Sequence, residues 1–442
     1  MRLGDAGSAP ARATGVRVLV DVRPLADPDR APATAAYLRG LLGACAAEPL
    51  EGESFVLLLD LGADDPGPLF PGLPVIGKRR LPITRVFRSG ALTLDPFLVR
   101  VAALGAGHGA AREPGMAGVV AHAVGGALPI GPGLPVVATL LDLAPWELPE
   151  HYQRSPAARF GQRLRAQLLR EADAVIVGSA AVARAATRLL RIRPGRLRVV
   201  PLAGGDAFAP FAVEGTEVGD AQRAALDAAL ERYGVPPRYL VYTGRHDARH
   251  DLGTLLDALA RLAAGGRPPR LAKAVPWPPR ILLVNTTPDD RAAVAQAAAG
   301  SGVGELLHFA PALPVADVAR LVAGARAAVH PVVSDAAALP VLDALAAGTP
   351  VVASAIGALP EVVGPAGLLV EPRDPDRFAH ALRAAWADDR VHRGIAAAAA
   401  ARAGTDRRTW ADVARETRAV YAAVAERGPE VTVASLGGPP GT

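Results

Sequence analysis

Runs of consecutive apolar residues alternate with amphipathic stretches along nearly the whole chain. VRVLVDV (16–22), FVLLLDL (55–61), GVVAHAV (118–124), VVATLLDL (136–143), DAVIVGS (173–179) and RLRVVPL (196–202) predict strands, and helical spacing predicts helices over 34–47, 159–172 and 180–190. Strands that are apolar at every position, not every second one, have both faces covered, as in parallel α/β layers. The pattern breaks over 204–238, a polar stretch bounded by Gly and Pro. It then restarts with YLVYTG (239–244), a helix over 252–263, ILLVN (281–285), a helix over 289–299, LLHFA (306–310), a helix over 316–323 and AAVHP (327–331). Such a restart predicts two doubly wound α/β domains: 16–205, then a linker over 206–236, then 237–408. A last helix follows within 409–427, and the Gly- and Pro-rich tail over 428–442 reads as disordered. The insertion GGRPPRLAKAVPWPPR (265–280) reads as a surface loop.

Length agrees with that division, because 442 residues exceed one ordinary core. The net charge of +5 is modest for this length. It permits an anionic ligand but gives no concentrated basic stripe with stacking aromatics, so no nucleic-acid partner is expected. Lysine occurs only at Lys78 and Lys273, so arginine supplies nearly all positive charge. Cys45 is the single cysteine, which excludes an internal disulfide and a thiolate metal cluster, and no histidine pair has metal-site spacing. Residues 115–141 contain no charged side chain and are long enough to span a bilayer, but Pro129, Pro132 and Pro135 cut them into two short buried strands. With no signal-peptide core at the N-terminus, the expected location is cytoplasmic. GKRRLPITRVFR (77–88) carries five cations and no acid. A solvated loop is the plain reading; the other is a face for an anionic acceptor or for peripheral contact with the inner membrane surface.

Candidate chemistry is densest in SDAAALPVLDALAAGTPVVASAIGALPEVVG (334–364). Pro340 suits a first helical turn, which sets Asp335 just before the helix N-terminus, where its carboxylate and the free amides face a polar ligand. Asp343 lies two turns further on, near the same face. A helix N-cap plus one exposed aspartate explains those residues equally well. A dinucleotide fold would need a glycine-rich turn straight after the first strand. RPLADPDRAPAT follows it instead, without a glycine.

The segment from Leu339 to Leu382 resembles the signature region of glycosyltransferase family 4, and the likeness extends from about Val16 to Ala425. VYTGRHDARHDLGTLLDALARL resembles the family's Gly-Arg turn and the following helix start, VVATLLDLAPWELPEHY its Thr-Ile-His-Asp-Leu segment, and DAVIVGSAAVARAATRLL its serine-led helix. The resemblance implies a GT-B fold, two Rossmann-like domains facing across a cleft. It implies a retaining transferase that takes a sugar from a nucleotide-diphosphate sugar to an acceptor (a glycan, lipid or small molecule), with no cofactor or obligatory metal. Arg245 would hold the diphosphate, with His250 in the place of the family lysine. Asp335 would reach the donor sugar and Asp343 the ribose. Asp142 would face the cleft from the N-terminal side, and Arg249, Ser179, Leu339 and Pro340 complete the substrate-binding set. The departures gather at the chemistry. Leu141 replaces the family histidine, both glutamates are shortened to aspartate, and the loop over 335–338 has lost its glycines. A binding module that has lost catalysis, holding a nucleotide or a partner protein, is the competing reading.

Overall fold

The computed structural model describes residues 15–82, 94–107, 116–131, 133–211, 216–404 and 407–427. Seven strands form the first sheet: β1 (Gly15–Asp21), β2 (Ser54–Asp60), β3 (Val75–Leu81), β4 (Met116–Val124), β5 (Val136–Thr139), β6 (Ala174–Val177) and β7 (Leu197–Val199). Six form the second: β8 (Leu240–Thr243), β9 (Ile281–Val284), β10 (Leu307–Phe309), β11 (Ala328–His330), β12 (Val351–Ser354) and β13 (Gly367–Val370). Their orders are β3-β2-β1-β4-β5-β6-β7 and β10-β9-β8-β11-β12-β13, with parallel pairing throughout. Each order reverses direction once, between β1 and β4 and between β8 and β11. Those reversals are the crevices in which doubly wound sheets receive ligands, outside the carboxyl ends of the strands. Every residue of β1, β2, β5, β6, β9 and β12 is buried, as the unbroken apolar runs require.

Helices named below are α1 (Pro32–Ala47), α2 (Ala180–Leu190), α3 (Glu217–Tyr233), α4 (Leu339–Ala346) and α5 (Trp410–Ala425). α5 lies within the stretch where the sequence predicts a last helix, and the chain returns with it to the first sheet. Its Trp410 ring fills the space beside Gly40 of α1, where an added Cβ would lie 2.1 Å from the indole. Arg418 donates to both oxygens of the buried Glu53, at 2.8 and 2.6 Å. Tyr421 and Thr139 hydrogen-bond the two nitrogens of His122 at 2.7 and 2.8 Å, so this histidine is a satisfied core residue, and burial pushes its pKa down to about 3.

Three expectations change. The stretch read as a linker contains α3, capped by Thr216 at one end and by Gly234 with positive φ at the other. Tyr233 of α3 donates to Asp317 at 2.6 Å, and Leu226 packs against Gly324, which ties the helix to the second sheet. The first half of the basic stretch is not a loop but the edge strand β3, with Lys78, Arg79 and Arg80 exposed. Charged side chains on an edge strand discourage pairing with another chain. These three are also engaged internally, Lys78 with Asp65 and the arginines with the carbonyls of Gly105, Asp60 and Ala63. The rest of that stretch, and the C-terminal tail, lie outside the described residues. Finally, β5 stops at Thr139, so Leu140 to Leu143 form the loop that brings Asp142 to the cleft. The insertion over 265–280 has no regular structure, as expected. Among the described residues no helix is long and apolar enough to cross a membrane.

Candidate active site

A cavity of about 280 Å³ opens at the carboxyl ends of β8 and β11, closed from the other side by α1 and the loop after β5. Arg245, Arg249, His250, Asp335, Leu339, Pro340 and Asp343 line it from the second sheet, and Leu141 and Asp142 from the first. The structure therefore brings together eight of the nine residues selected from the sequence. Ser179 stands apart. It caps α2, its hydroxyl accepting from the Val182 amide at 3.2 Å, and lines a second cavity behind α4.

Each cation of the site already has a carboxylate. Arg245 Nε donates to Asp290 Oδ2 at 2.5 Å, while Nη1 reaches the carbonyl of Asp29 on the opposite wall. Arg249 donates from Nε and Nη2 to Asp247 Oδ2, at 3.0 and 2.5 Å, and from Nη1 to Asp142 Oδ2 at 3.4 Å. His250 Nδ1 lies 2.9 Å from Asp247 Oδ1. Burial opposes charge on Asp247, but hydrogen bonds from His250 and Arg249 outweigh it and hold this carboxyl far below the usual range.

The loop around Asp335 is built tightly. Asp335 Oδ1 accepts from the amides of Ala337 and Ala338 at 3.0 and 2.7 Å, and His330 Nε2 lies 2.7 Å from Oδ2. Burial again opposes ionisation, and the His330 hydrogen bond leads the groups that lower the pKa nonetheless. The His330 and His250 rings stand nearly perpendicular, with centroids 6.3 Å apart. Asp343 differs: its Oδ1 accepts a single bond, from the Gly205 amide at 2.7 Å, and burial pushes its pKa up to about 6.

The N-cap of α4 is Ala338, at φ 52° and ψ 25°, in the left-handed region. A residue with a Cβ is strained there by about 1–2 kcal/mol. Ala338→Gly should therefore raise stability by about 0.5–1 kcal/mol, the gain being reduced by glycine's freedom in the unfolded chain. A chemical unfolding curve reads it, and an unchanged or lower midpoint would place no strain at this residue.

Asp247, Asp290 and His330 were not selected from the sequence. Asp247 and His330 stand beside the Gly-Arg turn and the Asp335 loop, and their charge partners are two to five residues away, which is a usable signal. Asp290 opens a helix 45 positions from Arg245 and gave none. Three further bonds join the walls. Ser334 donates to Glu147 at 2.5 Å, and the amides of Ala180 and Ala181 at the start of α2 donate to the Glu361 carboxylate at 2.9 and 2.6 Å.

The family described as "Glycosyl transferases group 1" matches residues 237–388, and "Glycosyl transferase 4-like domain" matches residues 63–203. A D-inositol 3-phosphate glycosyltransferase of Geodermatophilus obscurus is 33% identical over 283 residues, covering 62% of this chain and 57% of that protein. An MMP α-(1→4)-mannosyltransferase of Mycolicibacterium hassiacum is 37% identical over 123 residues, 27% of this chain and 30% of that one. The match thus spans little more than half the length of the first relative and under a third of the second. Among solved structures, sucrose-phosphate synthase from Thermosynechococcus elongatus has a TM-score of 0.63 at 20% identity, covering 92% of this chain and 98% of that one. Anabaena HepE in complex with UDP and glucose has a TM-score of 0.64 at 18% identity, covering 92% and 99%. These likenesses establish the two-domain GT-B fold, and with the two family matches, one on each sheet, they make the chain a member of the group 1, family 4-like glycosyltransferases.

Proposed function

We propose that the protein transfers a sugar from a nucleotide-diphosphate sugar to an acceptor, with retention of configuration. The observation that carries this reading is the gathering of Arg245, His250, Asp335 and Asp343 around one cavity at the β8/β11 crevice, with Asp142 opposite. Relatives named as glycosyltransferases support it, as does the UDP and glucose held by the Anabaena structure of the same fold.

In this reading the diphosphate lies at the ends of β8 and β11. Arg245 and an N–H of His250 meet the charge that develops on the leaving oxygen as the glycosidic bond breaks. Asp335, fixed by two amides and His330, orients the sugar, and Asp343 takes the ribose hydroxyls. Ser179, as the cap of α2, acts on substrate only through the position of that helix. No resident metal or cofactor is assigned a role. The acceptor enters from the side of α1 and Leu141, where the wall is formed by Pro32, Ala33 and Ala36.

Incubation with UDP-, GDP- and ADP-sugars, followed by nucleotide release and thermal shift, tests the reading. Arg245→Ala should weaken diphosphate binding by about 1.5–3 kcal/mol, the worth of a charge-assisted hydrogen bond. Unchanged calorimetric affinity would remove Arg245 from the site. Binding without sugar release, with every acceptor tried, would favour a pure binding module.

A further inference from the structure

Asp247 belongs to no role assigned so far, yet it is the most heavily bonded carboxylate in the cleft. Its Oδ1 accepts from the Arg249 amide and from His250 Nδ1, both at 2.9 Å, and its Oδ2 accepts from two nitrogens of the Arg249 fork at 3.0 and 2.5 Å. An arginine fork closing on one oxygen, with an imidazole and a backbone amide on the other, is a donor set that can also receive a phosphate. Here a side chain of the same loop fills it. What is left open is His250 Nε2, which lies in the cavity wall 3.1 Å from where a Cβ of Gly244 would stand.

Charge points the same way. Two arginines, Arg245 and Arg249, stand among five carboxylates in or beside the cavity: Asp290, Asp142 and Asp247, which they pair with, and Asp335 and Asp343. Carboxylates thus outnumber guanidinium groups in the cleft, which opposes a nucleoside diphosphate. Asp335 accepts from two backbone amides, and Asp142, Asp247 and Asp343 from one each. Asp290 is held in the first turn of a helix by Thr287. Asp247 stands in a short turn, closed by the His250 amide donating to its carbonyl at 3.0 Å, and its side chain can swing away while the bridge from His250 to Val332 stays in place.

We propose that Asp247 is an internal stand-in for a donor phosphate, an occupant that the diphosphate displaces from Arg249 and His250 on binding. The proposal rests on the nucleotide-sugar reading of the cleft and adds its regulation: affinity for the donor is held down by the protein's own carboxylate, which swings away when the cleft fills.

Asp247→Asn tests it, since the amide keeps the shape and an acceptor oxygen and removes the charge; Asp247→Ser is the second variant in case the first folds poorly. UDP, GDP and ADP are titrated calorimetrically into the parent and the variant at one pH and low salt, with the corresponding nucleosides as controls. The dissociation constant of the best-binding diphosphate should fall about tenfold, as expected for removing one like charge at short range, and that of its nucleoside should not move. Equal or weaker diphosphate binding by a folded variant overturns the stand-in while leaving the donor reading intact. Failure of every diphosphate to bind parent, Asp247→Asn and Asp247→Ser alike overturns both.

Discussion

Gly357→Ala should destabilise the protein by about 3 kcal/mol and disable the cleft with it. Gly357 lies at φ 59°, in the left-handed region, and a Cβ built on it would stand 1.8 Å from the carbonyl oxygen of Asp335. Backbone strain alone accounts for about 1–2 kcal/mol. The overlap is with main chain, which no rotamer change relieves, so the 335–338 loop must move as well. That loop is already tied to the same turn by the Ala358 amide, which donates to the Asp335 carbonyl at 3.0 Å. Moving it shifts the Asp335 carboxylate from His330. Urea unfolding and nucleotide titration read the two effects, and Gly43→Ala is the control. Gly43 lies within α1, and a Cβ there meets nothing within 4 Å, so helix propensity should raise stability slightly. If Gly357→Ala behaved like the control, the crowded turn would not be what holds Asp335.

Asp343→Asn should stabilise the protein by as much as about 3 kcal/mol at neutral pH and by nothing near pH 3. Burial raises the carboxyl from 3.8 to about 6, so the folded state holds a proton that the unfolded state has lost across that window. The stability that this protonation supplies is present below pH 4 and disappears as pH rises through about 6. Asparagine does not titrate and still accepts from the Gly205 amide, so the difference between the proteins should open from pH 4 to 6 and then level off. Parallel unfolding curves at pH 3.5, 5 and 7.5 decide it; a pH-independent difference would assign the effect to packing. An ionisable group kept at such a cost, where an amide would serve the fold better, fits a part in binding ribose hydroxyls.

The alternation of apolar and amphipathic segments carried most of the architecture, because a parallel strand buried on both faces leaves an unmistakable run. It failed where burial was one-sided. β3 exposes Lys78, Arg79 and Arg80, and its neighbours in sequence look like a charged loop. Of the seventeen residues of α3 only Gly219, Leu226 and Ala229 are buried, too few for a stripe, although Thr216 and Gly234 mark its ends. In the cleft, the residues on the Gly-Arg turn and the signature helix were legible from the family likeness. Partners close in sequence, Asp247 and His330, left a signal; Asp290 left none, because its pairing with Arg245 depends on which strand ends meet in the sheet. The substitution of histidine for lysine at His250 reads differently beside Asp247 and His330: an isolated imidazole has become one member of a bonded set.

α5 closes the first sheet, yet it is the last helix described. β7 ends at Val199 and α5 at Ala425, so more than two hundred residues separate the completed strands from the helix that covers them. At about 5–20 residues per second of synthesis, that is a wait of about 10–45 s. During it, Tyr37 and His122 lack the ring partners that Trp410 and Tyr421 supply. The first half of the nascent protein thus leaves the ribosome with an open apolar face, and its final consolidation waits until the second sheet has been made. A version with α5 transplanted ahead of β1 by circular permutation would gain its protease resistance earlier in translation than the natural order does.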